Sequence, residues 1–362
     1  MERLNWHIAD ELSRRAHVHV IGPVGAAALQ PENVTLTEAP LRPLSRFLLT
    51  STWQAARLAR SWRPEIVLAG SGLTAPAALL AARIAKARAH VYLHGLDAAV
   101  KHPVYQAVWH PAIRQMDGVI TNSQPTTALA QALGVDTSRI RIVHPGVQMP
   151  AEPRHAEDLE AFRQRYGLGN ARLLLSVGRL AERKGLREFV EFALPDIVRQ
   201  APDALLAIVG DAPADALHAN EQTQASIQAI ADASSIGKHL RFLGRLSEND
   251  LACAYESASL HIFPVRQLPN DPEGFGMVAI EAAAHGIPTV AFASGGIVDA
   301  VKQGKSGHLV PPGDYAALTQ AVLQVLSTPP GSWRDTTYNF AQQFAWPTFG
   351  DTLYAALTSP SS

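Results

Sequence analysis

The stretch Leu173-Leu174-Leu175-Ser176-Val177-Gly178-Arg179-Leu180-Ala181-Glu182-Arg183-Lys184-Gly185 reads as a strand that stops at a glycine and passes into a basic loop. Working outward, short β-branched runs recur at residues 205–209, 239–243, 260–263 and 289–292, and before it at 17–21, 65–69, 90–93, 118–121 and 139–143. Ala/Leu-rich helical stretches separate them. Strands alternating with helices are the signature of βαβ units and parallel sheets, so the chain is expected to be α/β, with two doubly wound sheets in tandem. Between the two sets, Pro145-Gly146-Val147-Gln148-Met149-Pro150 and Pro153 precede a charged helix expected over 157–166, and this is the expected hinge. The domains are therefore placed at 1–150 and 151–340, with an apolar C-terminal helix within 341–362. In open parallel sheets ligands sit outside the carboxyl ends of the strands, so two such sheets facing one another are expected to bind across a cleft.

At 362 residues the chain is long enough for two cores, and 47% hydrophobic residues with a mean hydropathy of +0.01 exclude disorder. The one cysteine, Cys253, excludes an internal disulfide, and no run of 18 apolar residues exists. The opening Met1-Glu2-Arg3-Leu4-Asn5-Trp6 carries no export signal, which leaves a cytoplasmic location as the expectation. A net charge of −1 conceals an asymmetry: residues 1–150 hold 15 lysines and arginines against 9 acids, residues 151–362 hold 16 against 23. Five of those cations, Arg42, Arg46, Arg57, Arg60 and Arg63, lie in an acid-free stretch beside Phe47, Leu49, Trp53 and Trp62. Such a face suits an anionic membrane surface or a lipid-linked acceptor; a core helix with solvated arginines reads equally well. Nucleic acid is disfavoured by the near-neutral pI of about 6.9 and by the aromatic spacing.

The chemistry concentrates in Pro269-Asn270-Asp271-Pro272-Glu273-Gly274-Phe275-Gly276-Met277-Val278-Ala279-Ile280-Glu281, which follows a strand and opens a helix. Gly274 and Gly276 permit close approach to backbone amides, and a helix N-terminus favours phosphate. Glu273 and Glu281 can touch different parts of one ligand, a carboxylate being suited to a vicinal diol such as ribose; a helix cap and a solvated side chain are the plain alternative. Arg179 and Lys184 stand where they could neutralise a departing diphosphate, although either alone reads as an ordinary surface cation.

The Gly178–Gly185 pattern, the strand before Asp211, Phe242-Leu243-Gly244-Arg245-Leu246, the two glutamates eight apart and Ala293-Ser294-Gly295-Gly296-Ile297 occur in that order. Together they resemble the retaining, nucleotide-sugar-dependent glycosyltransferases of family 4, which have the two-Rossmann GT-B fold. The resemblance spans the chain from about residue 60. It implies that Gly178, Arg179 and Lys184 hold the donor pyrophosphate, that Glu281 holds the ribose, and that Glu273 with the backbone of Gly274, Phe275 and Gly276 meets the transferred sugar and distal phosphate. The turn Gly244 to Leu246 would meet the base, and His94, in Val91-Tyr92-Leu93-His94-Gly95, would act catalytically beside the donor sugar with Glu273. By itself a histidine at a strand end reads as structural. The C-terminal helix would cross back to the first domain.

The resemblance also implies a first strand and a Gly-Gly loop, whereas the chain opens with residues that read as the helix after them. An N-terminal sheet without that strand, and an incomplete acceptor side, are therefore expected. The resemblance implies a hexosyltransferase using a UDP- or GDP-sugar, with a carbohydrate or lipid-linked acceptor, no cofactor and no metal. A donor-binding protein without transferase activity, or an NAD(P)-dependent oxidoreductase using Gly70-x-Gly72-x-x-Ala75, are the rival readings.

Overall fold

The computed structural model describes residues 2–211, 222–269 and 271–359; Met1 and Asn270 of the segments quoted above lie outside them. The chain forms two compact units, one running to Gly146 and resuming at Ala345, the other Val147–Phe344.

The second unit is built on a parallel sheet of six strands: β7 (Arg172–Val177), β8 (Ala204–Val209), β9 (Leu240–Gly244), β10 (Ala258–Phe263), β11 (Thr289–Phe292) and β12 (Gly307–Val310), in the order β12-β11-β10-β7-β8-β9. Every residue of β8 is buried, as a strand covered by helices on both faces requires. Alternate side chains serve two cores. Leu174, Leu206, Leu260 and Ile262 pack with Phe189, Ile197 and Val322 on one face, and Leu173, Leu175, Ala207 and Val209 pack with Phe162, Cys253 and Tyr255 on the other. Each such leucine or isoleucine contributes about 1.5–3 kcal/mol by leaving water.

The first unit holds β1 (Val18–Pro23) and β2 (Val34–Ala39), paired in parallel, and a parallel sheet of β3 (Ile66–Ala69), β4 (Arg88–Leu93), β5 (Gly118–Thr121) and β6 (Ile140–Ile142) in chain order. Among the described residues β1 bonds only to β2, and β3 only to β4, so each keeps one unpaired edge. A cavity of about 190 Å³ lies beside both, lined by Ile21, Val67, Phe47 and Leu58 among others. The opening segment is a helix, Glu2–Ser13. Helix Trp346–Thr358 packs on it, with Trp346 stacked on His7 at 3.7 Å and Asp351 paired with Arg15. Trp346 also lies against Gly146, where a Cβ would overlap its ring.

Several sequence expectations shift. Strands β2 and β12 were not anticipated, the charged helix runs Ala156–Arg165, and Gly244 is the last residue of β9 rather than part of a following turn. No helix among the described residues is long and apolar enough to cross a membrane.

Among the described residues four histidines carry buried ring nitrogens without hydrogen-bond partners, and two of them lie on inner strands: His90 on β4, through both nitrogens, and His261 on β10, through Nε2. Burial pushes His90 down to about 4 and His261 to about 3, with Arg88 and Lys184 respectively acting in the same direction. Both are neutral when folded, while unfolded histidine titrates near pH 6.5. The unfolded chain therefore binds more protons below that pH, and stability falls as pH drops from about 6.5 towards 4, by roughly 2 kcal/mol per histidine at pH 4.5. Urea unfolding at pH 7 and 4.5 measures this, and His90→Leu should flatten the dependence; an identical slope in the variant would refute the assignment.

Candidate functional site

In the six-stranded sheet the order reverses beside β7, whose neighbours are β8 and β10. Loops leaving the carboxyl ends of β7 and β10 diverge at such a point and open a crevice between them. The β7 loop is strapped to the end of β8, with the Gly178 amide donating to the Val209 carbonyl at 3.0 Å and the Leu180 amide to Asp211 at 3.0 Å. It is tied to the β10 loop by the Arg266 amide, which donates to the Arg183 carbonyl at 2.8 Å, and by the Arg266 guanidinium, which donates to Glu188 at 2.6 Å.

Within this frame the structure brings Lys184 and Glu273 into direct contact, the ammonium donating to Oε2 at 2.9 Å. Arg183 donates to the same carboxylate oxygen, and its Nε lies 3.2 Å from Asp271. The side chains are largely withdrawn from water, 13% exposed for Arg183 and Glu273 and 18% for Lys184. The Lys184 ammonium also sits over the Phe263 ring, 4.8 Å from its centre. Burial pushes the Lys184 ammonium well below its ordinary pKa, Arg183 and Arg179 push the same way, and Asp271 opposes them. Burial likewise lowers Arg183. Arg179 is exposed and, with Gly178 and Lys184, lines a cavity of about 10 Å³. In the ligand-free chain the Lys184 ammonium is thus already paired with an internal carboxylate. Arg183 was missed; its neighbour Lys184 drew the assignment, and only the proximity of two acids, Asp271 and Glu273, hinted at a second buried cation.

The glycines hold this geometry by close approach. Gly276 has φ +94°, a left-handed value, and a Cβ there would lie 2.9 Å from the Phe263 ring. The turn at Gly296 docks on the Glu273 backbone, its amide donating to the Glu273 carbonyl at 2.8 Å, and a Cβ on Gly296 would overlap the Gly274 carbonyl. Phe275 is buried and meets Phe344, ring centres 5.7 Å apart, so it contributes backbone rather than side chain to any ligand.

Glu281 lies in helix Met277–Ala284 and accepts a hydrogen bond from the Tyr255 hydroxyl at 3.1 Å. Tyr255 stacks on His285, which bonds Glu256 at 3.1 Å. This support was not legible, because Tyr255 reads as a core aromatic. Gly244 accepts from the Gly210 amide at 2.8 Å, and half-buried Leu246 packs against the core.

In the first unit His94 follows β4. Its Nε2 donates to the Gly70 carbonyl at 2.8 Å, and burial lowers its pKa against the opposing pull of Asp97 and of that bond. The ring is therefore a neutral imidazole whose Nδ1 remains an acceptor. Asp97 accepts from the amides of His94 and Gly72, both at 2.9 Å. The Gly72 amide, which a dinucleotide would need, is already taken by a carboxylate, and this counts against the oxidoreductase reading. Arg46, Arg57 and Arg60 are exposed on helix Leu44–Trp62, with Arg42 and Arg63 flanking it; Leu49 is 74% and Trp53 61% exposed, and the Arg57 guanidinium lies 5.6 Å from the Trp53 ring centre.

Comparison with known proteins shows the family and the fold. The family model "Glycosyl transferases group 1" matches residues 158–343, and "Glycosyltransferase Family 4" matches residues 1–149. A GDP-mannose-dependent alpha-(1-6)-phosphatidylinositol monomannoside mannosyltransferase of Mycolicibacterium smegmatis is 34% identical over 49% of this chain and 45% of its own length. A glycogen synthase of Mycobacterium tuberculosis is 30% identical over 76% of this chain and 63% of its own, so the chain spans about half to two thirds of the length of these relatives. Among solved structures, Anabaena Alr3699/HepE in complex with UDP superposes with a TM-score of 0.81 at 19% identity, covering 99% of this chain and 96% of that one. That likeness, and one to WaaG with a TM-score of 0.67 at 18% identity over 99% and 96% of the two chains, shows the two-Rossmann GT-B fold. With the strand order, the glycine turns and the charged crevice already in place, the chain belongs to the group 1 glycosyl transferases of family 4.

Proposed function

We propose that this glycosyltransferase moves a hexose from a UDP- or GDP-sugar to an acceptor hydroxyl with retention, without a metal ion. One observation carries the reading: Arg183, Lys184 and Glu273 lie at the strand-order reversal beside β7, next to the glycine turn that opens helix Met277–Ala284. Cations beside a helix N-terminus at that point suit the diphosphate of a nucleotide sugar, and they act where charge develops on the leaving group. Arg179 and Lys184 take the pyrophosphate, Glu281 the ribose, and Glu273 a hydroxyl of the sugar. The neutral His94 ring, as the resemblance implies, bonds a sugar hydroxyl through Nδ1.

Glu273 is held by two cations, which makes it a poor nucleophile and supports a same-face displacement. The bond from the anomeric carbon to the phosphate oxygen breaks, the bond to the acceptor oxygen forms on the same face, and the departing phosphate takes the acceptor's proton. The acceptor is proposed to be lipid-linked, at the cytoplasmic surface of an anionic membrane. Exposed Trp53 and Leu49 among Arg46, Arg57 and Arg60 support this, as does the lipid named for the mycobacterial relative.

A melting-temperature screen against UDP- and GDP-hexoses tests the donor class, because a ligand that binds only the folded chain raises its apparent stability. No stabilisation by any of them would end the reading. Glu273→Ala should abolish transfer, and Lys184→Ala should weaken donor binding by about 2–3 kcal/mol in calorimetry, the usual worth of a charge-assisted bond. Trapping a covalent glycosyl-enzyme would overturn the same-face route. Replacing Arg46, Arg57 and Arg60 with glutamine should release the protein from vesicles containing anionic lipid, at about 1 kcal/mol per charge, while leaving transfer to a soluble acceptor intact. Undiminished vesicle binding would point to a soluble acceptor instead.

A further inference from the structure

The charged crevice holds one carboxylate between two cations, and those cations are not equivalent. Arg183 is fixed on several sides: its carbonyl accepts from the Arg266 amide at 2.8 Å, its Nε lies 3.2 Å from Asp271, and its terminal amine holds Glu273. Lys184 reaches the same Glu273 oxygen through a flexible four-carbon stem, with the Phe263 face beside it. A phosphate and the Glu273 carboxylate are both acceptor-only anions, so they compete for the Lys184 ammonium. If a diphosphate wins, Glu273 must keep a partner, because a carboxylate only 13% exposed is costly to leave unpaired. Arg183, with five donors, can keep it.

We infer that Arg183 is a positioning residue: it retains Glu273 when an anionic ligand draws Lys184 away, so that the ligand-free site is self-neutralised and a diphosphate opens it. Arg183 acts through Glu273 rather than by touching phosphate. The inference rests on the reading that this crevice receives a donor diphosphate, and it adds a residue and a competition which that reading does not contain. It makes Glu273 an inhibitor of phosphate binding as well as a ligand for sugar.

The test is calorimetric titration of the full chain with inorganic pyrophosphate, in the parent, Glu273→Gln, Arg183→Gln and the double variant. Glu273→Gln should bind pyrophosphate at least about tenfold more tightly, since a competing charge-assisted bond has gone. Arg183→Gln should bind it about tenfold more weakly, because Glu273 then has only Lys184 to hold. The double variant should match Glu273→Gln within about threefold, as expected when one residue acts only through the other. Equal losses from Arg183→Gln in both backgrounds would make Arg183 a direct phosphate ligand and overturn the inference, as would unchanged or weaker binding by Glu273→Gln. Should Glu273→Gln fail to fold, Glu273→Ala, which also removes the carboxylate, takes its place with the same expected tightening and the same refuting result. Parallel titrations with UDP and GDP separate the two readings. Absence of heat with pyrophosphate and with both nucleotides removes the donor assignment together with this inference, whereas binding without tightening in the Glu273 variant removes this inference alone.

Discussion

The second unit depends on a constraint of charge burial: Arg183, Lys184 and Glu273 are withdrawn from water together, and each is tolerable only because the others are there. Two loops from strands that are distant in the chain must meet for this to happen. The glycines at Gly276 and Gly296, the Arg266 straps and the Phe263 ring all fix the distance between those loops. Removing a Cβ costs little, whereas misplacing a buried charge costs several kcal/mol, so the local backbone is specified around the ionic contact rather than the reverse.

Much of the architecture was legible because its signal is local. Runs such as Leu173-Leu174-Leu175 and Ala204–Val209 are apolar on both faces, and the helices between them punctuate the sheet. The two strands that escaped reading lie at sheet margins. Val34–Ala39 carries threonines and a glutamate, and Gly307–Val310 opens on a glycine and has four residues, so neither shows the continuous apolar run of an inner strand.

The site was legible to the level of residue type and no further. Lys184, Glu273 and Glu281 were recoverable from spacing and resemblance, and the structure brings the first two together. What spacing could not convey was that both adjacent cations turn inward, since that depends on where the loop after β10 puts Asp271 and Glu273. Tyr255 was hidden for a related reason: a buried aromatic on a helix reads as packing, and its hydroxyl acquires a role only when Glu281 arrives from another helix. Family membership narrows the reaction class, yet the ionic partnership within the crevice is a property of these side chains in this arrangement.

Among the described residues β1 and β3 each keep an edge with no strand beside it. Each offers amide and carbonyl groups spaced to accept foreign backbone, and the cavity beside them has apolar walls. Net charge gives little protection, since at −1 the molecules barely repel one another. Open edges of this kind are the general template on which one chain adds to the sheet of another.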